Sequence, residues 1–121
     1  MFSWGTDQAK NLAQVEFAGR VTSEETRLRA QEIRSRPLNL QSGFTLLTDL
    51  SALEWMDQAC AADIKSIMDF LNQHGIGRVV RIIPDPQKDI GFGIMSLFHY
   101  DKGVRIVTCA TREEAESVVA G

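Results

Sequence analysis

The run Phe44-Thr45-Leu46-Leu47-Thr48-Asp49-Leu50 constrains this chain more than any other segment. It is short, nearly continuously apolar and preceded by Ser42-Gly43. A strand with one solvated face alternates apolar and polar residues, whereas an unbroken apolar run suits a strand covered on both faces. The run therefore predicts the middle strand of a sheet that carries packed layers on either side.

The neighbouring segments supply those layers. Leu12 to Val21 alternates in part, with Val15 and Phe17 on one side, and reads as a strand for which Phe2-Ser3-Trp4 is a short hairpin partner. Thr22-Ser23-Glu24-Glu25 has the capping-box spacing and opens a helix that ends by Arg36, before Pro37. Its apolar face is thin, made of Leu28, Ala30 and Ile33. Its charges fall at helical spacing, Glu25 with Arg29 and Glu32 with Arg36, which predicts a solvated face. After Trp55-Met56, Asp57 is placed to cap a helix whose Cys60, Ile64, Ile67, Met68 and Leu71 recur at the helical period, with Gly75 as its stop. A strand at 78–83 and a helix at 89–98 follow, then a strand at 104–109 and a closing helix capped by Thr111. Alternating strands and helices require crossover connections and a mostly parallel sheet, while the first two strands can pair antiparallel.

At 121 residues the chain is sized for one domain, 1–121. A formal net charge of -3 provides no basic field for a phosphate backbone, so no nucleic-acid partner is expected. The two cysteines, Cys60 and Cys109, form no CxxC pair, and no apolar run is long enough to span a bilayer. Free thiols and a cytoplasmic location are expected.

The motifs that carry chemistry are weak. Gly91-Phe92-Gly93-Ile94-Met95-Ser96 stands where a dinucleotide fingerprint would begin, but Ser96 replaces the third glycine, and no cofactor is expected. Cys60, His99 and Asp57 include a nucleophile, a base and an orienting carboxylate, without any spacing that brings them together. Asp49 and Asp57 are explained by a strand-end turn and a helix cap, and His74 by a helix end. Two histidines and two dispersed cysteines do not make a zinc site. Lys88 lies before a helix start, where an anion can bind. The 89–98 segment is apolar nearly all round, which predicts burial, a homodimer interface, or a pocket beneath Phe92, Phe98 and Tyr100.

Three segments together resemble the STAS family, the domain of anti-sigma-factor antagonists and anion-transporter tails. Phe17-Ala18-Gly19-Arg20-Val21 is similar to the family's strand that ends in a glycine before the first helix. Leu47-Thr48-Asp49-Leu50-Ser51 with Trp55-Met56-Asp57 is similar to its central strand and switch loop, and Thr111-Arg112-Glu113-Glu114-Ala115 to its closing helix cap. The resemblance implies an α/β STAS-like fold: a mixed, mostly parallel sheet of four or five strands with about four helices. The family's switch reads Asp-Ser-Ser-Gly and takes phosphate on a serine, whereas this chain has Asp57-Gln58-Ala59-Cys60 and no acceptor there.

The expectation is thus a non-catalytic regulatory module that binds a protein partner, a second copy of itself, or a lipid or other small apolar ligand. The contact residues would be Trp55, Met56, Asp57 and Gln58 of the 53–60 loop, and Lys88, Phe92, Met95, Phe98, His99 and Tyr100, with Ser51 as a regulatory position. The competing expectation is a small hydrolase or transferase using Cys60 with His99, or an anion site near Lys88.

Overall fold

A computed structural model describes residues 1–83, 100 and 102–121. The sequence-predicted helix at 89–98, the Gly91 motif, and the candidates Lys88, Phe92, Met95, Phe98 and His99 lie outside the described residues.

Among the described residues, five strands form one sheet in the order β1-β2-β3-β4-β5, comprising β1 (Phe2–Asp7), β2 (Leu12–Val21), β3 (Thr45–Met56), β4 (Arg78–Ile82) and β5 (Arg105–Cys109). The β1–β2 hairpin is antiparallel and the other three pairings are parallel, as the connection lengths require. Helix α1 (Ser23–Ser35) joins β2 to β3, α2 (Ala61–Gln73) joins β3 to β4, and α3 (Arg112–Ala120) closes the described chain.

β3 is the middle strand, and its first six residues are all buried. Alternate side chains serve different layers. Leu46 and Leu50 enter the core built with Ala30 and Ile33 of α1 and Ile64, Ile67 and Leu71 of α2. Leu47 joins Leu12, Val80, Ile82, Cys109 and Ala115 on the side that α3 covers. Two covered faces explain the absence of polar alternation in this strand.

The helix boundaries follow local chemistry. Thr22 and Thr111 accept hydrogen bonds from the Glu25 and Glu114 amides, so each supplies an oxygen to an otherwise unpaired donor in the first turn. Gly75, at φ +87, follows the carboxyl end of α2 in the left-handed conformation. Glycine serves a second purpose at Gly77, where a Cβ would stand 2.9 Å from the Gly43 backbone.

Three expectations need correction. Leu28 does not face the core but is 51 % exposed, and the fully buried Thr26 takes the inward position. The pairs Glu25–Arg29 and Glu32–Arg36 give way to Arg29–Glu32 at 3.0 Å, because Glu25 and Arg29 both turn to β1: Glu25 accepts from the Phe2 amide and Arg29 Nε donates to the Phe2 carbonyl. These bonds strap the first strand onto α1. Asp57, finally, caps a 3-10 turn, Gln58–Cys60, rather than α2 itself, whose N-cap is Cys60 without a side-chain bond.

Candidate functional site

The carboxyl end of β3 is where most of the described candidates gather. The sequence reading makes 53–60 a loop, yet β3 continues to Met56, pairing with β2 as far as Val21↔Met56. Pairing with β4 stops earlier, at Asp49↔Ile82, so the last seven residues of β3 run beyond β4. Two register shifts occur there, between Glu16 and Ala18 and between Gly19 and Arg20, and in each β3 contributes one more residue than β2. Such bulges bend a strand and re-aim its side chains. Gly19 accommodates the second with φ +62.

The bent end separates the candidates by role. Met56 is buried in the α1/α2 core and serves packing. Trp55 is half-buried, and the Arg20 guanidinium lies 4.5 Å from its ring centroid, a cation–π contact that holds the indole at the rim. Asp57 accepts from the Ala59 amide at 3.0 Å, which fixes the turn that presents Gln58 and Ala59 to solvent. Ser51 is exposed at the first bulge.

Ser51 belongs to a polar cluster that local sequence reasoning misses. Both its amide (2.9 Å) and its hydroxyl (2.6 Å) donate to Oδ1 of Asp49, the one buried charged residue among those described. Asp49 therefore lies inside a strand instead of at a strand-end turn. Arg112, the first residue of α3, donates Nη1 to Asp49 Oδ2 at 3.3 Å, Nη2 to Gln14 at 3.2 Å and Nε to Glu116 at 3.1 Å. Partial burial tends to lower the Arg112 pKa, but the bonds to Glu116 and Asp49 prevail and raise it. Only the i,i+4 spacing of Arg112 and Glu116 was visible along the chain; Asp49 and Gln14 are distant in sequence.

The thiols occupy the interior. Cys60 is fully buried, its Sγ 3.3 Å from the Thr26 hydroxyl, and burial raises its pKa, with the charges of Asp57 and Asp63 adding to the effect. Cys109 is buried beneath α3, and its pKa is raised chiefly by burial. A nucleophilic cysteine needs the opposite, an accessible thiolate with a lowered pKa, so Cys60 does not fill the role considered for it. His74 lies at the end of α2, with Nδ1 2.8 Å from the Phe70 carbonyl and its ring 4.2 Å from the Phe70 ring. Tyr100 packs on the α1/α2 core beside Thr48 and Arg81, and burial pushes its pKa up to about 12. Among the described residues, no group of three or more His, Cys, Asp or Glu side chains is placed to hold a metal, and no helix is long and apolar enough to cross a membrane.

No protein-family model matches the chain, and no curated protein sequence matches it. Solved structures do share its architecture. The anti-sigma factor antagonist SpoIIAA, in its unphosphorylated form, is similar over 100 % of this chain and 99 % of its own, with a TM-score of 0.60 and 18 % identity. An uncharacterized DUF3478-family protein from Shewanella loihica PV-4, described as having a SpoIIAA-like fold, is similar over 98 % of this chain and 92 % of its own, with a TM-score of 0.67 and 12 % identity. The fold is therefore SpoIIAA-like, in agreement with the STAS resemblance read from the strand and cap segments.

Proposed function

We propose that this chain is a non-catalytic, cytoplasmic regulatory module that recognises a protein partner through the carboxyl end of β3 and the turn that follows. The observation that carries the proposal is the rim itself: Trp55 clamped by Arg20, followed directly by the exposed Gln58–Ala59 turn capped by Asp57. Aromatic and arginine side chains are enriched where interface energy concentrates, and open α/β sheets bind at the carboxyl ends of their strands. SpoIIAA, which shares the fold, is an anti-sigma factor antagonist, and that role supports recognition of a protein by this one.

Phosphate control at the turn is not part of the proposal, since Gln58 and Ala59 have no hydroxyl and Cys60 is buried. Ser51, exposed and bonded to Asp49, is the regulatory position we assign on this side. The test is native mass spectrometry of the protein purified from its own cells, alongside Trp55→Ala and Gln58→Arg. The wild type is expected to carry a protein at fixed stoichiometry that both variants lose while keeping the wild-type circular dichroism. Retention of the same protein by both variants would refute the rim as the contact.

A further inference from the structure

Strand β1 forms one edge of the sheet, and the bonds at its start fix which way its backbone groups point. The Met1 nitrogen donates to the Ala18 carbonyl at 2.6 Å, and the Ala18 amide donates to the Met1 carbonyl at 2.8 Å, so both groups of Met1 face β2. In an antiparallel pair this direction alternates residue by residue. The register runs unbroken from Phe2↔Phe17 to Asp7↔Leu12, and Phe2, Trp4 and Thr6 therefore turn their amides and carbonyls away from β2. Phe2 is already engaged by α1: its amide donates to Glu25 Oε2 at 2.9 Å and its carbonyl accepts from Arg29 Nε at 2.8 Å. Among the described residues, none bonds the outward groups of Trp4 or Thr6. Edge strands are commonly guarded by lysine, proline or a bulge, and the six residues of β1 contain none of these.

The spacing of the open groups selects their partner. With Phe2 engaged, an antiparallel copy of the same strand satisfies all of them in one register, in which Trp4 stands opposite Thr6 of the second copy and Thr6 opposite its Trp4. Four backbone bonds result, about a two-fold axis that passes between the two Gly5 residues. The side chains suit this register. Gly5 faces Gly5 at the closer, non-hydrogen-bonded position, and both lack a side chain where the strands approach. Ser3 meets Asp7 of the second copy, so a hydroxyl donor opposes a carboxylate and no like charges face each other. Leu28, 51 % exposed, lines a cleft with Glu25 and Arg29 on the flank of α1 that is strapped to this edge. Continuing the sheet past β1 brings the second copy beside that apolar side chain.

We propose that two copies of this chain associate through β1, antiparallel about Gly5, and join their sheets into one. A contact of four backbone bonds belongs with the small, reversible interfaces, so a dissociation constant on the order of 10 µM is expected.

The test is sedimentation velocity over a concentration series, together with amide hydrogen exchange. The wild type is expected to pass from monomer to dimer, and exchange at Trp4 and Thr6 to slow as the dimer fills. Gly5→Lys and Gly5→Glu each place like charges across the axis and should weaken the dimer about fivefold, whereas an equimolar mixture of the two should associate more tightly than either alone. An added Cβ at Gly5 meets nothing within 4 Å, so both variants keep the monomer fold. Thr6→Pro removes one outward donor from each copy, two of the four bonds, and should weaken the dimer about tenfold. Should Thr6→Pro fail to fold, the charge pair at Gly5 decides. The proposal is overturned if the wild type stays monomeric up to about 1 mM. It is also overturned if Trp4 and Thr6 are already protected in the monomer, if a dimer forms without slowing their exchange, or if the mixed charge variants associate no better than each alone. None of these outcomes bears on the Trp55 rim, which has its own readout.

Discussion

Removing the charges that join Asp49 to Arg112 should separate how much of the polar cluster is structural. The two residues lie 63 apart in sequence, and their 3.3 Å contact joins the middle strand to the closing helix. At an effective dielectric constant of about 20, a pair at that distance has a gross Coulomb energy of about 5 kcal/mol. Most of this is offset: the Arg112 side chain is 39 % exposed, the contact uses one nitrogen and one oxygen, and salt screens the exposed part. The Asp49 side chain, only 10 % exposed, keeps the net coupling near the top of the surface-pair range, about 1 kcal/mol. Asp49→Asn preserves an acceptor for both Ser51 bonds and removes the charge, and Arg112→Met preserves much of the stem. Arg112→Met should be the costlier change, about 2 kcal/mol, because it leaves Asp49 buried without its cation. Urea denaturation of the wild type, both single variants and the double variant closes the cycle. A double variant that loses about 1 kcal/mol less than the sum of the singles is expected. Additivity within about 0.3 kcal/mol would refute the coupling and reduce the contact to a coincidence of packing.

Two other perturbations test the fold near the sites. Gly77→Ala should cost about 1 to 3 kcal/mol by the same assay, because the new Cβ meets the Gly43 backbone at 2.9 Å and no flexible side chain can yield; wild-type stability would contradict that close approach. The chain's single tyrosine allows a spectroscopic test, in which the phenolate absorbance of the native protein should rise with a midpoint near 12, against about 10 in denaturant. The sign follows from the raised value: folding favours the protonated phenol, so this contribution is complete below about pH 10 and is lost as pH climbs toward 12. A native midpoint near 10 would place Tyr100 in solvent.

The extension of β3 shows why part of the site was hidden. Leu53 and Met56 are buried while Ser51, Ala52 and Glu54 are exposed, a pattern that keeps neither the period of a strand nor that of a helix. Two extra residues opposite β2 produce it, and only the partner strand makes them bulges. Read alone, the segment looks like a loop. Arg112 was hidden differently, because its Asp49 and Gln14 partners stand 63 and 98 residues away and no local spacing indicates either.

What the sequence determined by itself was the alternation of strands and helices, the two threonine caps, the glycine stop at Gly75, and a middle strand covered on both faces. Each of these rests on interactions within about four residues, or on a hydrophobic period that a single segment displays. Tertiary structure alone decided where β3 ends, that Leu28 faces solvent while Thr26 faces Cys60, and that Glu25 turns from Arg29 to the backbone of β1. It also brought Gln14, Asp49 and Arg112 together. Those outcomes depend on pairing register and on which surfaces a short helix can cover, and both are set by contacts between segments rather than within them.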